Sequence, residues 1–456
     1  MKVGSVTILV LLVATLSVII LGSLVAVTAV HVKGWVRQEN RQMATNIAEA
    51  GANYYRWHLA HAPEDFQDGT GEPGPYIHDY FDPQGDQIGQ FELDVIPPGE
   101  GSSVVTIVST GWTLEEPNAK RTIEAAYGQP SYARFSFLHN ANVWFGQGLT
   151  TYGDVHSNGG IRMDGINESV VSSAKETYTC GFETGCSPSD TKNGVWGDGP
   201  NNTLWEYPTT SIDFDSVVVD FAHMRLSAQE SGIYLAASSY FGYHLRFNDT
   251  GTVSVYEVNR TRSRQGWDPE GGCQTLNQVI RTENLIGTYS LSDNKIIFVE
   301  DTVWIDGVVE GKTTVVAASF PIDTSSEVIW ILDNLIYKEK DGSDSLGLVA
   351  QQDIYYALDI PSTFQIDAAL MAQKGRIIRH FYSYWWVCSY YSNAIRDKLE
   401  IYGSVISNQK SYWNYGNPIW SGFVDRDITY DSHLRYGPPP YFPTSSEYEF
   451  IKWDEE

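Results

Sequence analysis

Residues 3–30 read VGSVTILVLLVATLSVIILGSLVAVTAV, a run of 28 positions without a charge. That is enough helix to cross a bilayer of about 30 Å with some tilt. The run is too long for a signal-peptide core and lacks a small-x-small cleavage site backed by a polar region, so it reads as a retained anchor over about 5–32. Lys2 precedes it, whereas Lys33, Arg37 and Arg41 follow it. Loop charge alone would leave the C-terminal bulk in the cytoplasm. Two features argue the opposite, placing that bulk outside. The first is an even count of four cysteines, Cys180, Cys186, Cys273 and Cys388, with no C-x-x-C spacing. This suits disulfides in an oxidising compartment. The second is that the helix continues through Trp35 to about Ala60 and stops before Pro63, giving a 5–62 element on the order of 80 Å long. Its second half, Asn40 to His58, is amphipathic.

The chain has 456 residues, with 30 Lys+Arg against 56 Asp+Glu and a net charge of −26. A nucleic-acid partner is disfavoured, because phosphate binding rests on clustered bases. Aromatics reach 13% with 28 Tyr and 14 Trp, so the chain folds and has material for two or three domains. After the helix, Gln90–Ile96, Ser103–Thr110 and Lys120–Tyr127 alternate as strands, making a small α+β unit over 63–130 that ends near Gly128-Gln129-Pro130. Beyond it helical periodicity nearly vanishes. From about Asp293 to Ser407 short β-branched runs are almost continuously apolar, as strands buried on both faces are. Their spacing of roughly 20 residues predicts a β-helix over 131–456, with an irregular insertion at about 180–290. A β-sandwich is the alternative. The fold class is thus mainly β behind one long N-terminal helix.

The segment Asn46-Ile-Ala-Glu-Ala-Gly-Ala-Asn-Tyr-Tyr-Arg56, behind the short leader Met1-Lys2-Val3-Gly4, resembles the A-x-x-A-E-A-G motif of PilX-type minor pilins and pseudopilin K, with Thr45 where the motif's first Ala stands. The resemblance implies cleavage after Gly4, a mature chain starting at Ser5, and packing of the helix with other pilin subunits in a filament. The glutamate usual at the fifth mature position is replaced by Leu9, which is similar to the tip pseudopilin. The phrases from Tyr152 to Gly165, Leu346 to Tyr355, Ile366 to Ala372 and Leu399 to Ile406, with the ending Tyr430-Asp-Ser-His-Leu-Arg435, look like β-helical domains of bacterial envelope proteins with such N-termini.

Chemistry-bearing motifs are sparse. Asp154, His156 and Ser157 lie together, but neighbours in a strand point to opposite faces, so the histidine and serine do not form a triad. Asp425, Asp427 and Asp431, and the pair Asp341 and Asp344, could offer calcium its oxygen ligands, though neither has EF-hand spacing. Otherwise no cofactor is expected. The aromatic run Phe381, Tyr382, Tyr384, Trp385, Trp386, Tyr390 and Tyr391, continued by Tyr412, Trp413, Tyr415 and Trp420, fits either a capped core or a contact surface for a glycan or other surface ligand. Asn-x-Ser/Thr occurs at Asn167, Asn201, Asn248 and Asn259. The expected role is a non-enzymatic envelope subunit, in contact with membrane and with other pilins, for filament initiation, tip display or adhesion. The rival is an anchored β-helical polysaccharide lyase or hydrolase, and a membrane-tethered scaffold without a filament is a third reading.

Overall fold

The computed structural model describes residues 3–99, 102–214, 220–322, 324–384, 388–416, 418–445 and 447–455. The chain divides into two compact units: one of Met1–Gly99, Val104–Gln129 and Ser446–Glu456, the other of Pro130–Ser445 with Glu100–Ser103.

In the first unit, helix α1 spans Val3–His61. From Ile8 it is long and apolar enough to cross a membrane, and its most apolar stretch is wholly unburied. Farther on the pattern changes to a stripe. Asn40, Ala44, Ile47, Ala48, Ala52, Tyr55 and Leu59 are buried, at the three- and four-residue steps of one helix face. That stripe packs against an antiparallel sheet of β1 (Tyr76–Phe81), β2 (Gln87–Ile96), β3 (Val104–Thr113) and β4 (Arg121–Gly128). Gly111 of β3 sits so close to the helix that a Cβ there would collide with the Ala44 carbonyl and the Ala48 amide. Gly51 of the helix is in turn pressed against Phe91 and Ser109. The helix ends at His61, two residues before Pro63, and past its end Tyr55 Oη donates to the Asp65 carbonyl and His58 Nε2 lies 3.0 Å from Asp65 Oδ2.

The sheet has five strands where the sequence shows three. β1 escapes pattern reading because its Tyr76, His78 and Tyr80 turn inward while Ile77 and Phe81 stay exposed. The fifth strand, Glu449–Glu455, comes from the C-terminal end and pairs antiparallel with β4, so the small unit does not close at 130.

The second unit is mainly β, built on one large mixed sheet of 20 strands. Most of its pairings are parallel. One register line runs through Ile233, Ile297, Val315, Leu348, Leu370, Val405, Phe137, Val155, Val171 and Trp205. A second joins Leu245, Ile305, Ile331 and Tyr356, and a third joins Leu335, Ile366, Ile401, Ile428, Thr151 and Asn167. The side chains of the first two lines share one core. Behind the first line, Phe298, Val316, Val349, Ala369, Met371 and Ile406 form a second core with Phe214, Leu434, Phe442 and helix α2 (Asp220–Ser231). Burial on both sides explains the uninterrupted apolar runs of these strands.

The parallel strands pair in chain order from Ile233 to Val405 and again from Phe137 to Trp205, and the two runs join where Phe137 pairs with Val405, from opposite ends of the unit's sequence. One expectation is corrected here: the 180–290 stretch is far from irregular. It contains α2 and a long antiparallel hairpin of Thr252–Asp268 with Gly272–Ser290. Its exposed Arg, Thr and Asn positions and several register irregularities blur the two-residue alternation that would mark it.

Candidate functional site

Gly4 and Ser5 lie in the first turn of α1, ahead of the exposed apolar segment. All four cysteines are in disulfides: Cys180 with Cys186, and Cys273 with Cys388. The second bond ties the long hairpin to the segment around Tyr390. Beside it, Trp267 and Phe381 form an antiparallel bridge.

The aromatic run does not form one surface. Trp413 is only 8% exposed; its Nε1 donates to the Ile377 carbonyl at 2.9 Å, and its ring packs on Phe137 and Tyr356, so it belongs to the core. Phe381 and Tyr382 are buried as well. Tyr412 is half-buried between cations, 5.1 Å from Lys410 Nζ and 5.6 Å from the Arg376 guanidinium. Tyr390 and Trp420 are exposed, at 63% and 45%. Trp385, Trp386 and the Tyr384 side chain lie outside the described residues. Aromatic composition alone does not separate these fates, because the same ring fills a core or offers a contact.

The aspartates are likewise separated by their partners. Asp427 Oδ2 is 2.7 Å from Lys398 Nζ, Asp431 accepts from Tyr402 Oη and from the His433 backbone and ring, and Asp425 is exposed. Among the described residues no group of three His, Cys, Asp or Glu side chains stands where it could hold a metal ion. Asp344 accepts from the Gly311 and Glu339 amides. His156 Nδ1 meets Ser172 Oγ at 2.9 Å, while Ser157 donates to the His139 and Ala141 carbonyls.

Three polar groupings join residues far apart in sequence, which no local motif marks. His244, almost fully buried, bridges Glu283 through Nδ1 at 2.8 Å and Asp306 through Nε2 at 3.0 Å, and Arg246 also holds Asp306. Burial pushes the imidazole down, but the bonds to Asp306 and Glu283 outweigh it and raise its pKa. Where the hairpin meets the parallel strands, Arg376 grips Asp268 at 2.7 Å and Glu270 at 3.0 Å. His380 lies 3.9 Å from Asp268, fully buried, and burial holds it down to about 4. Third, Arg162 is sandwiched between Trp144 and Trp196, with Asp164 at 2.8 Å.

A cleft of about 910 Å³ is lined by Asn140, Asn142, Asn158, Lys175, Thr209 and Ser211, among others. Its amides are joined by hydrogen bonds, Asn158 to Asn140 and Asn140 to Asn408 at 2.8 Å. These groups can hydrogen-bond a polar ligand.

The chain is thus mainly β, with one membrane-capable N-terminal helix among the described residues. No protein-family model matches the chain, and no curated protein matches it. Among solved structures it is similar to the competence-associated pilin ComZ from Thermus thermophilus, at 14% identity and a TM-score of 0.30, covering 91% of this chain and 97% of that one. It is also similar to an ice-binding protein from the Antarctic ascomycete Antarctomyces psychrotrophicus (8% identity, TM-score 0.25, 65% and 94% covered). A third match is an ice-binding protein from an Antarctic biological consortium (8% identity, TM-score 0.16, 66% and 90% covered). At these TM-scores no role is carried over from any of the three.

Proposed function

We propose that the chain is a minor-pilin-like subunit of the cell envelope, related to the PilX and pseudopilin K type, held by α1 and displaying its second unit outside the cytoplasm. The observation that carries this is the division of α1. Its first half is apolar and bare, as a segment destined for lipid or a filament core must be, while its second half is married to the sheet through Gly51 and Gly111. The two disulfides favour an oxidising location. We read the three parallel register lines as the faces of a β-helix, each strand about 4.8 Å from the next. In this reading the protein acts by assembly and contact, initiating or tipping a filament or adhering to a surface, with Tyr390 and Trp420 among its contact residues.

The test is the N-terminus of the protein isolated from its native host. Mature chains should begin at Ser5, and deletion of the gene should remove surface filaments. Intact Met1 together with unchanged filaments would overturn the reading.

A further inference from the structure

We propose that the outward face of the long hairpin, at Arg260, Arg262 and Arg281, binds the carboxylates of an acidic polysaccharide. The inference rests on the second unit being displayed outside the cell, and not on filament assembly.

The starting point is how this acidic chain spends its cations. With 56 acids and 30 bases, a cation on a folded surface has carboxylates to choose from. Arg246 takes Asp306, Arg376 takes Asp268 and Glu270, Lys340 takes Asp367, and Lys398 takes Glu400 and Asp427. Arg264, on the same hairpin, reaches Asp359 at 3.2 Å. Among the described residues Arg260, Arg262 and Arg281 are exposed and lie outside every ion pair.

Their placement brings them together. Leu276 and Gln278 of one strand and Val258 of the other are buried, which fixes the inward side of the hairpin. Across the ladder Arg260 faces Thr282, Thr261 faces Ile280 and Arg262 faces Val279, so Arg281 falls at the irregularity beside Arg260. Residues two apart on a strand are about 7 Å apart, and neighbouring strands about 4.8 Å. The register thus puts Arg260, Arg262 and Arg281 along one short stretch of the two-stranded ladder.

Guanidinium forks match carboxylate and phosphate equally. The density of charge separates the two. Duplex DNA carries a charge for about every 1.7 Å of axis, and a body with 26 excess negative charges repels so dense a polyanion. A polymer with one carboxylate per sugar fits guanidiniums spaced several ångströms apart. The flanking side chains suit sugar hydroxyls: Ser263 and Asn277 are exposed and bonded to each other at 2.7 Å, and farther along the ladder Thr282, across from Arg260, and Asn284 are exposed.

The test measures binding of the full chain in detergent micelles to polygalacturonate, to its fully methyl-esterified form, to duplex DNA and to phosphatidylglycerol vesicles. Polygalacturonate should bind, more weakly as salt rises, and the esterified polymer should not. The R260Q/R262Q/R281Q variant should lose about tenfold or more in affinity with an unchanged melting temperature, and R260K/R262K/R281K should fall between. An unaffected triple Gln variant would overturn the proposal, as would DNA or vesicles binding as tightly as polygalacturonate at equal charge. A correctly processed N-terminus without polygalacturonate binding would sink this proposal alone, and binding by a chain that keeps Met1 would leave it standing while the filament reading fell.

Discussion

Nε2 of His244 lies 3.0 Å from Oδ2 of Asp306, and the same ring reaches Glu283 on its other side. An imidazole that contacts carboxylates through both nitrogens donates at both, and therefore carries a proton. Its raised pKa means that the stability it contributes is fully present below its ordinary value of 6.5 and is lost as pH rises through the raised one. Burial pushes Asp306 up, but its bonds to His244 and Arg246 prevail and lower it, so its contribution is lost on acidification instead. Thermal melts across pH should show a maximum between these limits. H244Q should cost about 1–3 kcal/mol at mildly acidic pH and flatten the alkaline side of the curve.

The two disulfides should differ in worth. Cys273 and Cys388 are 115 residues apart and Cys180 and Cys186 only 6, and a longer closed loop removes more freedom from the unfolded chain. C273S/C388S should cost about 4–5 kcal/mol and C180S/C186S markedly less, read as separate denaturation midpoints. Equal losses would point to strain or residual structure in place of loop entropy.

Trp413 should behave as a core residue. Trp413→Ala should lose about 3–5 kcal/mol, since it empties the space between Phe137 and Tyr356. Y390A and W420A, at exposed positions, should change stability by no more than about 0.5 kcal/mol. A Trp413→Ala protein that melts normally would return this ring to the surface candidates.

Gly111→Ala should loosen α1 from its sheet. The added methyl must displace helix backbone at Ala44 and Ala48, which typically costs about 1–3 kcal/mol. Hydrogen exchange should quicken at the amides of 44–59 and remain unchanged in the parallel strands of the second unit.

The sequence makes the helix legible because one periodic stripe, Ala44, Ile47, Ala48, Ala52, Tyr55, Leu59, is set by local geometry. Strands such as Ile296–Val299 and Thr363–Ala372 are legible as apolar runs for the same reason. Pairing is another matter. Nothing near Phe137 says that its neighbour is Val405, because parallel partners are chosen by tertiary packing. The hairpin was hidden by its arginines, and those arginines are what now make it of interest. Of the aromatic candidates, Trp413 and Trp420 look alike in sequence and part only when the core is assembled.

The strand Glu449–Glu455 has a consequence for the order of synthesis. Its Lys452 pairs with Glu124, 328 residues earlier. At about 5–20 residues per second, the ribosome needs about 15–65 s to make the intervening chain. Throughout that interval the outer edge of β4 has no partner strand, while α1 already presents its bare apolar half. The unit that carries α1 is begun before the second unit and completed after it, so the newborn protein passes through a stage with its helix made and its sheet still open. Whatever shields β4 during that minute acts on a species that the finished fold no longer contains.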